Sequence, residues 1–100
     1  IGTSPSVFPH VDFDLSFLVP ADLAVGRLIE ATTGAGSDLV ESARVFDVFR
    51  GPGVDEGSRA VAIRYRLRSA DHTLTNEEVS PVRQSMISAA EQFGARLRGA

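Results

Sequence analysis

The stretch from Ala60 to Ser69 (AVAIRYRLRS) alternates without a break: Val61, Ile63, Tyr65 and Leu67 fall on one side, and Ala62, Arg64, Arg66 and Arg68 on the other. Successive side chains of a strand point to opposite faces, so this segment has one face to bury and one that stays charged. A strand inside a parallel sheet, covered by helices on both faces, would be apolar throughout. The pattern therefore calls for an antiparallel sheet covered on one side only, and the rest of the chain must supply its neighbours and its cover.

Val11 to Val19 (VDFDLSFLV) alternates in the same way, with Val11, Phe13, Leu15, Phe17 and Val19 on one face, and predicts a first strand, β1. Pro20 ends it. Asp22 is placed to cap a helix, α1, in which Leu23, Leu28, Ile29 and Thr32 recur at helical spacing and which Gly34 stops. Gly26 weakens its first turn. Ala43 to Arg50 (ARVFDVFR) predicts β2, with Phe46 and Val48 inward and Val45, Asp47 and Phe49 outward. Gly51 to Gly57 predicts the turn into the Ala60–Ser69 strand, β3. Thr75 to Glu78 matches a capping box ahead of a long helix, α2, with Val79, Val82, Met86, Ala90 and Phe93 on one stripe. Pro81 either kinks that helix or occupies the first position of one restarted by Ser80. Gly94 closes it, and Ala95 to Arg98 predicts a short last strand, β4, carrying Leu97. Residues 1–7 (IGTSPSV) read as a linker and residues 8–100 as one domain. The order β-α-β-β-α-β is that of a ferredoxin-like α+β fold: a four-stranded antiparallel sheet, ordered β4-β1-β3-β2, with two helices on one face.

Composition narrows the function. One hundred residues suit one domain. The absence of cysteine excludes a disulfide framework, a zinc–thiolate site and a thiol nucleophile, and fits a reducing, cytoplasmic setting. No apolar run is long enough to cross a membrane. A chain that opens on Ile1 is expected to be part of a longer one. The net charge of −3 argues against indiscriminate nucleic-acid binding, which calls for a basic surface. All ten basic residues are arginines, planar forks suited to phosphate or base edges.

The uncovered face of the sheet is where function is expected. β3 places Ala60, Ala62, Arg64, Arg66 and Arg68 there, β1 places Asp12, Asp14 and Ser16, β2 places Asp47 and Phe49, and β4 places Arg96 and Arg98. Rings that stack on bases, arginines that hold phosphate and carboxylates that accept from base edges make up a single-stranded RNA platform. The same pattern also describes a solvated face whose arginines pair with Asp14 and Asp47, and Phe49 also reads as the rim of the core. His10 and His72 stand in separate loops without metal-ligand spacing. Glu77 and Glu78 read as charges at a helix amino end. Ser85 and Ser88 lack a nearby histidine to activate them, and the glycines do not match a phosphate loop. No catalytic or metal site is expected.

Three strings carry a resemblance. Phe46-Asp47-Val48-Phe49-Arg50-Gly51, followed by Glu56-Gly57, is similar to an F-D-(V/L)-Y-x-G…E-G signature. Thr73 to Val79 (TLTNEEV) resembles an R-T-L-T-(D/E)-E-E-V helix entrance, and Pro9 with Asp14-Leu15-Ser16-Phe17 resembles the start of a first strand. In this order and spacing, over about residues 8–99, they are those of the ferredoxin-fold anticodon-binding domain. That domain closes the β subunit of bacterial phenylalanyl-tRNA synthetases and the organellar single-chain enzyme. The resemblance implies a non-catalytic module that meets the anticodon stem-loop of tRNA(Phe) through its open sheet, with Asp47 and Phe49 near the first anticodon base. It implies as further partners the other domains of the β subunit and the α subunit, and places ATP and Mg²⁺ in the parent enzyme, with no cofactor here. The candidate RNA-binding residues are Asp47, Phe49, Arg64, Arg66, Arg68, Asp14 and Ser16. The chain departs from the family at Phe49, where Tyr is usual, at Arg59 and Ala60, where Lys-Ser is usual, and at Phe13, where Arg is frequent. A stand-alone ferredoxin-like regulatory or protein-interaction domain is the alternative.

Overall fold

A computed structural model describes residues 8–99; the segment read as a linker, residues 1–7, lies outside the described residues. The elements are β1 (Val11–Pro20), α1 (Val25–Ala35), a single 3₁₀ turn (Ser37–Leu39), β2 (Val40–Phe49), β3 (Ser58–Leu67), α2 (Asn76–Phe93) and β4 (Arg96–Gly99). The strands form one antiparallel sheet in the order β2-β3-β1-β4. This is the ferredoxin-like arrangement that the element order predicts.

The core follows the alternation. Leu15, Phe17 and Val19 of β1 and Val61, Ile63, Tyr65 and Leu67 of β3 are fully buried against Leu28 and Thr32 of α1 and Met86 and Ala90 of α2. Each such side chain contributes about 1.5–3 kcal/mol relative to exposure. Phe13 lies on this covered side, its ring centroid 5.7 Å from that of Tyr65. The position is partly buried against the core, so the apolar residue suits it. Tyr65 brings a hydroxyl into the core and donates it to Thr32 Oγ1 at 2.8 Å, which in turn donates to the Ile29 carbonyl at 3.0 Å. Burial raises the Tyr65 pKa, and the Thr32 contact opposes this.

The helix ends follow local chemistry. The Thr75 hydroxyl accepts from the Glu78 N–H at 3.3 Å, and Glu78 Oε1 accepts from the Thr75 N–H at 3.0 Å, so the capping box is complete. His72 Nε2 lies 2.6 Å from Glu78 Oε2, and this contact is the main reason the Glu78 pKa lies below its ordinary value. α2 runs unbroken through Pro81, so Ser80 does not restart it. The proline is exposed, and water can serve the carbonyl that its missing N–H leaves free. Gly94 closes α2 with φ 115°, a left-handed conformation that favours glycine. α1 differs from the sequence reading. Asp22 does not cap it: the Leu23 N–H bonds the Pro20 carbonyl at 3.0 Å, the segment turns, and the helix begins after Ala24 without a side-chain cap. It passes Gly34 and ends at Gly36, where a Cβ would overlap the Val40 side chain.

β2 carries the other correction. Its register against β3 shifts between Val45 and Asp47: Val45 pairs with Ile63, but Asp47 pairs with Ala62. Such a bulge adds a residue and reverses the alternation beyond it. Val45 therefore faces the helices and packs on the core, not outward. Phe46 is not core; it is 46% exposed, with its ring under the Arg64 guanidinium on the open face. Val48 lies opposite buried Val61, on the covered side, yet is 51% exposed and not core. The sequence expectation holds for Asp47 and Phe49, which face outward opposite Ala62 and Ala60.

Candidate nucleic-acid interface

The open face has two ends of different chemistry. At one end β1 and β3 bring carboxylates and arginines into direct register, Asp12 opposite Arg66 and Asp14 opposite Arg64. Each arginine donates two hydrogen bonds to its aspartate: Arg64 at 2.9 and 3.1 Å to Asp14, and Arg66 at 3.0 and 3.2 Å to Asp12. These bonds hold the Asp12 and Asp14 carboxyls below the usual carboxylate pKa, against a smaller opposing effect of burial. Arg68 pairs with Glu41 at 2.8 Å and donates to the Phe8 carbonyl at 3.0 Å, tying the start of the domain to the β2 edge. The arginines thus have carboxylate partners, but the partners are Asp12, Asp14 and Glu41. Asp47 makes no ion pair among the described residues.

The other end has small residues for a floor. Ser16 of β1 faces Ala62 of β3, and Leu18 faces Ala60. Asp47 and Phe49 border this floor from β2, and Phe49 keeps 39% of its surface exposed. From the far edge strand the Arg98 guanidinium reaches across to 6.0 Å from the Phe49 ring centroid, at the limit of a cation–π contact. The span depends on the small side chains between, since bulky residues at Ala60 or Ala62 would block it. Arg59, next to Ala60, points to the covered side and is buried; its guanidinium donates to the carbonyls of Pro20, Ala21 and Leu23 at 3.2, 3.0 and 2.7 Å. It anchors the turn after β1 and takes no part in the open face.

Of the sequence-derived candidates, Asp47, Phe49 and Ser16 gather at the small-residue end, and Asp14, Arg64, Arg66 and Arg68 at the ion-paired end. Two residues escaped that reading. Phe46 was hidden by the bulge, which no composition signal marks. Arg98 was legible as outward-facing, but its approach to Phe49 was not, because they stand on opposite edge strands. At the ion-paired end, Arg44 of β2 lies directly opposite Arg64 and has no ion-pair partner among the described residues. A cleft of about 400 Å³ opens beside it. Among the described residues no group of three His, Cys, Asp or Glu side chains could hold a metal, and no helix is long and apolar enough to cross a membrane.

An outward ring and carboxylate over a small-residue floor, flanked by arginines, suit an unpaired base. The model of the ferredoxin-fold anticodon binding domain matches residues 6–98. The chain belongs to this family. The anticodon-binding domain described here is 45% identical to the phenylalanine–tRNA ligase beta subunit of Symbiobacterium thermophilum over 91 residues, 91% of this chain and 10% of that protein. It is 47% identical to the beta subunit of Salinibacter ruber over 94 residues, 93% of this chain and 11% of the relative. With that of Trichormus variabilis the identity is 39% over 94 residues, 93% and 12%. The anticodon-binding domain therefore spans about a tenth of the length of these relatives.

Proposed function

We propose that this chain, with residues 8–100 as the folded unit and 1–7 as its linker, reads the anticodon stem-loop of tRNA(Phe) for a cytoplasmic phenylalanine–tRNA ligase beta subunit. The observation that carries the reading is Phe49, an exposed ring on the open sheet face beside Asp47, in a chain of this family. Phe49 stacks on a base, Asp47 accepts from its edge, and the Ser16 hydroxyl supplies a further polar contact at the floor. Arg64, Arg66 and Arg68 face phosphate. A guanidinium has five N–H donors, and Asp14 occupies two of those on Arg64, so the rest remain for a ligand while Asp14 fixes the fork. The residues present do not suit a nucleotide or Mg²⁺ site: no acidic cluster and no phosphate loop occur among the described residues. The ATP- and Mg²⁺-dependent ligation would belong to other domains of the beta subunit and to the alpha subunit, the remaining partners of this chain.

The test is titration with the anticodon stem-loop and with an unrelated hairpin. The stem-loop binds in preference, weakly, and with affinity that falls steeply with salt, because an acidic chain depends on a local arginine patch and counterion release. Asp47→Asn weakens binding more when guanine holds the first anticodon position than when another base does. Equal binding of both hairpins would overturn the reading.

A further inference from the structure

The cleft beside Arg44 is lined by Asp12, Ser42, Ala43, Arg44, Arg64 and Arg66. Its charges do not cancel. Arg64 and Arg66 are each matched by a carboxylate, Asp14 and Asp12, and no carboxylate among the described residues pairs with Arg44. Arg44 also stands directly across the ladder from Arg64, and like charges so placed repel. On a chain of net charge −3, one extra cation facing another across a groove costs stability, unless an anion occupies the groove. Arg64 is fixed from two sides, by its paired bonds to Asp14 and by the Phe46 ring 4.8 Å from its guanidinium carbon. It cannot swing away from Arg44 without breaking both. The Ser42 hydroxyl adds a donor on the same wall.

We infer that this cleft is a subsite for one backbone phosphate of the bound RNA, held by Arg44 with Ser42 and the outward N–H groups of Arg64 and Arg66. Asp12 does not oppose the phosphate strongly, since both of its oxygens accept from Arg66. Arg44 and Phe49 stand opposite Arg64 and Ala60, which are four residues apart on the regular strand β3, about 13 Å at roughly 3.3 Å per residue. The phosphate therefore belongs to a different nucleotide from the one stacked on Phe49, and the strand runs along β2 from one end of the face to the other. This inference rests on the anticodon-reading function proposed above and adds the path of the backbone to it.

The test is Arg44→Gln, with Arg44→Lys beside it, in stem-loop titrations over a range of salt, each variant checked by its melting temperature. Arg44→Gln is expected to weaken binding about tenfold at low salt, as loss of a charge-assisted contact does, whichever base holds the first anticodon position. It should also make the slope of log affinity against log salt shallower by about one. Arg44→Lys keeps the slope, because it keeps the charge. If Arg44→Gln binds as tightly and with the same slope as the parent while Phe49→Ala still weakens binding, the cleft is not a phosphate subsite and the reading of the platform stands. If the parent does not prefer the stem-loop over an unrelated hairpin, the functional reading fails and the subsite falls with it.

Discussion

The two ends of the open sheet face are built from the same strands and reach opposite solutions. Where β1 and β3 carry Asp12, Asp14, Arg64 and Arg66, each charge meets its complement across the ladder. Where the same strands carry Ser16, Leu18, Ala60 and Ala62, no charge stands on the floor, and Phe49, Asp47 and Arg98 border it from the edge strands. At the first end Asp12, Asp14, Arg64 and Arg66 satisfy one another, and the second keeps an exposed ring and a carboxylate with no ion pair among the described residues. Carboxylates already answer Arg64, Arg66 and Arg68, which lowers the pull of these arginines on an arbitrary polyanion. Under the proposed function, base recognition falls to the end where Asp47 has no ion pair among the described residues.

Changes on and beneath this face can break or sharpen the contrast. The largest effect is expected at Phe17, fully buried under the small-residue end and opposite Val61 and Leu97. Phe17→Ala loses about 3–5 kcal/mol of stability in a denaturant melt, with RNA binding lost only as the fold is lost. A smaller loss is expected at Arg59. Arg59→Met leaves three carbonyls of the turn after β1 without their charged donor, at a cost of about 2 kcal/mol. Because this side chain lies on the covered side, the salt dependence of RNA binding should not change; a changed slope would place Arg59 in the interface.

The smallest effect concerns the ion-paired end. Asp12 and Asp14 have lowered pKa values in the folded chain, so near their ordinary value, about 4, the unfolded chain binds more protons than the folded one. Their stabilisation is complete above that pH and is lost as pH falls through the lowered folded-state values. The pairs are partly exposed and screened, so the loss is modest and shrinks with salt. Asp14→Asn should flatten the acid limb of a stability–pH profile by lowering the neutral plateau slightly and leaving the acid end nearly unchanged. An unaltered acid limb would mean that the Arg64 pair contributes nothing.

The fold was legible where a pattern had one solution. The alternation of β3 admits only one buried face, and the Thr75–Glu78 capping box locates the start of α2 at Asn76. The string Val45-Phe46-Asp47-Val48-Phe49 was ambiguous, because a one-residue bulge exchanges faces without altering composition, and only pairing with β3 decides where it falls. Asp22 illustrates the same limit: a good capping residue was overridden by the turn that the Arg59 clamp holds. On the open face, the outward placement of Asp47 and Phe49 was legible from local sequence. Asp12 as the partner of Arg66, and Arg98 as the neighbour of Phe49, required the strand order and register, which no local signal contains.

The central claim, that Phe49 serves the ligand and not the core, is tested most directly by measuring melting and stem-loop affinity on one preparation of Phe49→Ala. The ring is 39% exposed and stands on the face without helices, so its truncation should change the melt little and remove about 1–3 kcal/mol of binding, the usual worth of a base–aromatic stack. Phe49→Tyr, which restores the ring usual in the family, should bind as well as the parent. A folded Phe49→Ala that binds the stem-loop unchanged, or one whose loss of binding is matched by its loss of stability, would contradict the account.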